Sequence, residues 1–237
     1  MKNKSIFLAG HRGMVGSAVL NCLQDNGYEN VITRTRGELD LINQAQVNSF
    51  FAKERPDAVI ICAAKVGGIL ANNTLRADFI YQNLQIASNL IHASSKYNVQ
   101  KLINLGSSCI YPRDAKIPIV EESLLTDVLE KTNEPYAIAK IAAIKLCESY
   151  HQQHNNNFYS IMPCNMYGAR DNFDLKSSHV LPALIRKVDE AKESGAENVE
   201  VWGSGKPLRE FLYVDDMARA CIHLMNLEKA KYDKHTS

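Results

Sequence analysis

Short runs that are apolar throughout alternate along this chain with longer stretches in which apolar residues recur every three or four positions. Ser5 to Ala9 is such a run and ends in glycine, the profile of a buried strand. Val15, Val19, Leu20 and Leu23 keep helical spacing over 14–26, and Gly27 is a stop signal. The same rhythm predicts strands at 30–33, 58–63, 101–105 and 159–162 and helices at 43–54, 79–97, 136–151 and 215–227. On the helix at 43–54, Val47, Phe50 and Phe51 share one face. Strands alternating with helices of this length predict an α/β protein with a doubly wound, parallel Rossmann sheet. After about residue 165 the rhythm loosens, and 166–181 and 194–210 become rich in Gly, Pro, Asn and Asp. The expected organisation is a dinucleotide-binding domain at 1–165 and a smaller, partial substrate-binding lobe at 166–210. Residues 211–237 then form a return segment, a helix packing on the first domain and a polar tail.

Composition narrows the classes. Apolar residues at 46% of 237 supply a core, and a net charge of +1 gives no field for nucleic acid or an anionic membrane. No nucleic-acid partner is expected. The six cysteines form no CxxC pair, so a metal site is not expected either. No apolar run reaches the length of a membrane span, and the start of the chain lacks the pattern of a signal peptide. Together with the scattered thiols this predicts a cytoplasmic protein.

Between the first strand and first helix stands Gly10-His11-Arg12-Gly13-Met14-Val15-Gly16, a GxxGxxG spacing. The first glycine permits a tight turn, the second lets backbone approach a pyrophosphate, and the third lets helix and strand pack closely. The helix N-terminus then faces the anion. An acid at the end of the second strand would select NAD. Here that place reads Thr33-Arg34-Thr35-Arg36, with no acid before Glu38. With Arg12 in the loop, two guanidinium groups near the adenosine ribose suit a 2′-phosphate, so NADPH/NADP is the predicted cofactor. Arg36 is the chosen partner of Arg12; one of Arg34 and Arg36 is expected to be an ordinary surface charge.

Tyr136 and Lys140 lie four residues apart, on one helix face. Tyrosine ordinarily titrates near 10, and a neighbouring ammonium is expected to lower that value. Leu105, Gly106, Ser107, Ser108 and Cys109 end the fourth strand at the edge where a nicotinamide would arrive. A Tyr-x-x-x-Lys alone is common by chance. Joined to the glycine loop and the strand-end serines, it resembles the extended short-chain dehydrogenase/reductase superfamily.

Longer strings narrow the resemblance. Gly10–Val19, Ala63–Ile69, Asp78–Asn83, Leu105–Pro112, Asn133–Lys140, Trp202–Gly205 and Arg209–Asp216 are similar to the GDP-L-fucose synthase family, over residues 4 to about 225. That resemblance implies epimerisation of GDP-4-keto-6-deoxy-D-mannose at C3 and C5, followed by NADPH reduction of the C4 ketone. It implies Tyr136 as general acid, Ser107 on the carbonyl, Lys140 on Tyr136 and the ribose, and Cys109 with His179 as the epimerisation pair. It extends the cofactor surface to Asp40, Leu41, Pro163, Cys164, Asn165 and Met166, with Cys164 where threonine is usual. It places Lys187, Trp202 and Arg209 beside His179 on the GDP-sugar, with Lys187 where arginine is usual. Family members run further, so a C-terminally shortened chain with an incomplete lobe and a missing last strand is expected. Two other readings stay open: a truncated NADP-binding module without catalysis, and a related nucleotide-sugar 4-epimerase or 4,6-dehydratase. The superfamily further implies a homodimer through the helices at 79–97 and 136–151. The alternative is that their apolar faces are all covered within one chain.

Overall fold

Side chains alternate across a strand, and in β1 (Ile6–Ala9) that alternation divides the core into two layers. Ile6 and Leu8 pack with α1 (Met14–Asp25) and α7 (Val214–Asn226), through Val19, Leu23, Met217 and Cys221. Phe7 and Ala9 face α2 (Gln44–Glu54), α4 (Arg76–Lys96) and α5 (Glu134–His154), through Phe51, Leu90, Ile91 and Ala143. β3 (Ala58–Ile61) repeats the division, with Ala58 and Ile60 on the first side and Val59 and Ile61 on the second. Each fully buried Leu, Ile or Phe contributes about 1.5–3 kcal/mol. A sheet covered on both faces is therefore a firm base for the loops at its edge. The computed structural model describes all residues except Lys176, Trp202, Pro207 and 235–237.

The five strands, with β2 (Val31–Ile32), β4 (Lys101–Leu105) and β5 (Phe158–Ile161), are all parallel in the order β2-β1-β3-β4-β5. The order reverses between β1 and β3, and ligands bind at such a switch point, outside the carboxyl ends of the strands. β2 is two residues long, against the four of the sequence pattern. α5 begins two residues before Tyr136, because Pro135 suits the first turn of a helix, and it ends at an αL Asn155.

Beyond the sheet, β6 (Asn165–Tyr167) pairs in parallel with β7 (Phe211–Tyr213), and α6 (Val180–Ser194) lies between them in sequence. A short α3 (Ile69–Thr74) precedes α4, and α8 (Lys229–Tyr232) follows α7. Lys101 is buried at the start of β4, and its Nζ donates to the carbonyls of Leu224, Met225 and Leu227. They stand at the C-terminal end of α7, where helix carbonyls lack i+4 partners, so the buried ammonium fastens α7 to the sheet.

Candidate active site

The glycine loop leaves β1 at the switch point. Gly10 adopts φ +88°, and a Cβ there would lie 2.6 Å from the Ala63 nitrogen, so both conformation and space require glycine. A Cβ on Gly16 would run into the Gly10 carbonyl, which fixes the close approach of α1 to β1. Gly13 caps α1 without any side-chain hydrogen bond, and no acid stands in the first turn. The first N–H groups of the helix are thus available to an anion. Nδ1 of His11 is buried without a hydrogen-bond partner among the described residues, an unmet polar atom in the wall of the loop.

The arginines differ in their surroundings. Arg34 is engaged within the fold: it pairs with Glu54 at 2.8 Å, donates to the Thr33 carbonyl and lies over the Phe50 ring. Arg12 and Arg36 are exposed, and neither makes a hydrogen bond or ion pair among the described residues. Glu38 cannot serve as a free ribose acceptor, because its carboxylate accepts from the Thr35 N–H and hydroxyl, which lower its pKa. Asp40 closes a local turn by accepting from Ile42 N, and the Leu41 carbonyl accepts from the buried Asn89 amide. These residues fit NADP: a glycine cradle with no room for a side chain at Gly10 or Gly16, free helix N–H groups and two guanidinium groups unpaired among the described residues.

At the end of β4, Ser107, Cys109, Tyr136 and Lys140 come together. The Ser107 hydroxyl accepts from the Cys109 N–H, and it lies near enough to the Cys109 thiol and the Tyr136 phenol to lower the pKa of each. Ser108 N donates to Pro163 O at 3.0 Å, which brings the 163–166 segment beside the serines; Cys164 and Met166 are half-buried there and Asn165 opens β6. Lys140 is buried, donates to the Leu105 carbonyl at 2.7 Å and sits 5.7 Å from the Tyr136 ring centre. Burial lowers the Lys140 ammonium to about 8, against smaller upward effects from Cys109 and Cys62. Gly106 packs under Ile161 and Met162.

The expected lowering of Tyr136 is not found here. Burial pushes its phenol up, Cys109 adds to the rise, and the nearby Ser107 hydroxyl opposes it. The physical reason is that phenol and ammonium are both desolvated while the ammonium is turned onto a backbone carbonyl. Burial likewise raises the Cys109 thiol.

His179 is carried by a different segment from that cluster. It is exposed at the N-cap of α6, and it acts electrostatically on Asp171. Lys187 donates to the Glu200 carbonyl, and Arg209 is exposed with its guanidinium on the Leu208 carbonyl. Trp202 lies outside the described residues.

Several supports were invisible in the sequence. Asn83, buried in α4, accepts from Lys65 N and donates to Lys65 O, so one amide holds the loop after β3 by both backbone groups. Phe79 packs edge-on against Tyr136 at 6.3 Å. An asparagine inside a helix often satisfies backbone groups, and that was the available signal.

Comparison with known proteins agrees with this geometry. Residues 6–236 match the NAD dependent epimerase/dehydratase family. The chain is 57% identical to GDP-L-fucose synthase of Escherichia coli (strain K12) over 96% of its own length and 71% of the relative's. It is 58% identical to GDP-L-fucose synthase 1 of Arabidopsis thaliana, covering 95% of this chain and 70% of that one. The solved structure of a GDP-L-fucose synthetase from Naegleria fowleri bound to NADP superposes with a TM-score of 0.85 at 31% identity, over 95% of this chain and 74% of that one. On this family match and these identities, the chain belongs to the NAD dependent epimerase/dehydratase family and, within it, to the GDP-L-fucose synthases.

Proposed function

We propose that this chain converts GDP-4-keto-6-deoxy-D-mannose to GDP-L-fucose in one site, by 3,5-epimerisation and reduction at C4. The observation that carries the reading is the convergence of Ser107, Cys109, Tyr136 and Lys140 at the end of β4, on the edge that also holds the glycine loop. Gly10 to Gly16 and the α1 N-terminus hold the pyrophosphate, and Arg12 and Arg36 hold the 2′-phosphate. Asp40, Leu41 and 163–166 complete the cofactor surface. Bound NADPH supplies the hydride.

The residues of the chain manage protons. Hydrogens next to a ketone are acidic when the enolate oxygen is stabilised, and Ser107 and Tyr136 stand ready to hydrogen-bond that oxygen. Cys109 and His179 act as the exchanging pair, one removing the proton and the other returning it on the opposite face. In the reduction, Tyr136 gives its proton to the C4 oxygen; a phenol kept protonated by burial is an acid throughout the neutral range. Lys140 stabilises the phenolate left behind until solvent reprotonates it, and binds the nicotinamide ribose. Lys187, Trp202 and Arg209 contact the GDP-sugar.

The same reading assigns 1–165 to the cofactor domain, 166–210 to a partial substrate lobe and 211–237 to the returning helix. It includes a homodimer through α4 and α5, where Tyr81 and Ile138 are 57% and 41% exposed. A cytoplasmic setting suits six free cysteines. The test is NADPH consumption, followed by absorbance, with GDP-4-keto-6-deoxy-mannose, and product identification by mass and NMR. GDP-L-fucose is the expected product. Folded protein that binds NADPH and leaves the keto-sugar unreduced would refute the proposal.

A further inference from the structure

His179 is exposed and lies on a segment separate from the sheet, yet epimerisation requires it to meet a proton held at the sheet edge. Its position therefore depends on what ties residues 177–179 to the cofactor domain. That tie is specific. Gly68 N donates to Ser177 O at 2.9 Å, two residues before His179. Gly68 is buried, and a Cβ on it would lie 2.7 Å from Ser178 O and 3.4 Å from Ser177 O. Its φ of −66° is open to any residue, so the demand for glycine is one of space. Backbone touches backbone here, and neither side has a flexible group that could give way.

The Gly68 end of the contact is itself held. Asn72, 6% exposed in α3, donates from Nδ2 to Gly67 O at 2.6 Å and to Gly68 O at 3.1 Å. On the other side, Ser177 N and Ser178 N both donate to Asp174 O, and Ala183 N donates to His179 O as α6 begins. A continuous path thus runs from the amide of Asn72 through the backbone of Gly68 and Ser177–Ser178 to the residue that caps α6.

We infer that Gly68 and Asn72 are positioning residues for His179: they set how close its imidazole comes to the sugar, and thereby govern epimerisation separately from reduction. The inference rests on the epimerase–reductase reading above. Tyr136, Ser107 and Lys140 are carried by β4 and α5, so a displaced 177–179 segment leaves the reducing residues in place.

Gly68→Ala pushes Ser178 away, and a displacement near 1 Å of a reacting group costs about 100-fold in rate. Asn72→Ala loosens the same loop with no added bulk and serves where Gly68→Ala fails to bind NADPH. The experiment measures deuterium entry at C3 and C5 in D2O. It also measures NADPH oxidation with ketone already epimerised by wild-type protein. Exchange is expected to fall about 100-fold in Gly68→Ala, and in the same direction in Asn72→Ala, while reduction of the epimerised ketone keeps its rate. Wild-type exchange in both variants, or an equal fall of both reactions with NADPH still bound, overturns the inference alone. Absence of exchange in the wild-type protein overturns the epimerase reading and this inference with it.

Discussion

Replacing Gly10 by alanine tests the switch point. Two costs add at this position. The backbone sits at φ +88°, outside the range that L side chains favour, and a left-handed conformation costs roughly 1–2 kcal/mol. The new Cβ would also stand 2.6 Å from Ala63 N and 2.7 Å from Ala63 Cα, against the 3.4 Å at which ordinary contact begins. The shortfall of about 0.8 Å falls on backbone at the end of β3, in an interior packed too densely to absorb it. Overpacking of this kind costs about 1–3 kcal/mol. The sum is about 2–5 kcal/mol, and for a chain of this size each kcal/mol moves the melting temperature by roughly 2–4 °C. Thermal unfolding followed by circular dichroism should therefore show a fall of at least about 4 °C. NADPH titration by fluorescence should show weakened binding, because the loop that cradles the pyrophosphate is the one displaced. A Gly10→Ala protein that melts with the wild type and binds NADPH equally well would refute the assignment of this turn.

Arg36→Ala and Arg12→Ala should each weaken NADPH binding about 10–100-fold, as expected for a lost charge-assisted hydrogen bond, and leave NADH binding unchanged; isothermal titration with both nucleotides reads this. Arg34→Ala should lower the melting temperature and keep the nucleotide preference, since Arg34 is spent on Glu54 and Phe50. Lys101→Met removes the ammonium that holds three carbonyls of the α7 end, and should cost about 2 kcal/mol or more in urea unfolding. Burial pushes the thiols of Cys147 and Cys221 up to about 12 from an ordinary 9.0. The unfolded chain therefore loses those protons first, and stability falls as pH rises above about 9. Melting temperatures at successive pH values should show that decline, and alanine at both positions should reduce it.

The layers and the phosphate loop were legible because they rest on local rules. Alternation in Ile6–Ala9 and Ala58–Ile61, the GxxGxxG turn and the Tyr136–Lys140 spacing each follow from the period of one element. What escaped depends on distant partners. β6 and β7 are three residues each and find one another across some forty residues of chain, too short for any periodic signal. Lys101 reads as a surface charge at a strand start, and only the arrival of α7 over β4 makes it a buried cap. α3 is six residues long with Ile69 and Leu70 exposed, so its pattern announces no helix. The direction of the Tyr136 shift was misjudged because spacing reports that Lys140 is near. It does not report that the ammonium is turned to the Leu105 carbonyl, or that both groups are desolvated.

The central claim is that one site performs two reactions with separable residues. The most direct measurement is proton NMR of GDP-4-keto-6-deoxy-mannose in D2O with NADPH, comparing Tyr136→Phe with Cys109→Ser. Tyr136→Phe should lose reduction by about 100- to 10,000-fold, the contribution of a positioned general acid, and still exchange deuterium into C3 and C5, slowed by the lost hydrogen bond to the enolate oxygen but sustained by Ser107. Cys109→Ser should lose the exchange. Exchange that vanishes in Tyr136→Phe, or persists at the wild-type rate in Cys109→Ser, would contradict the account.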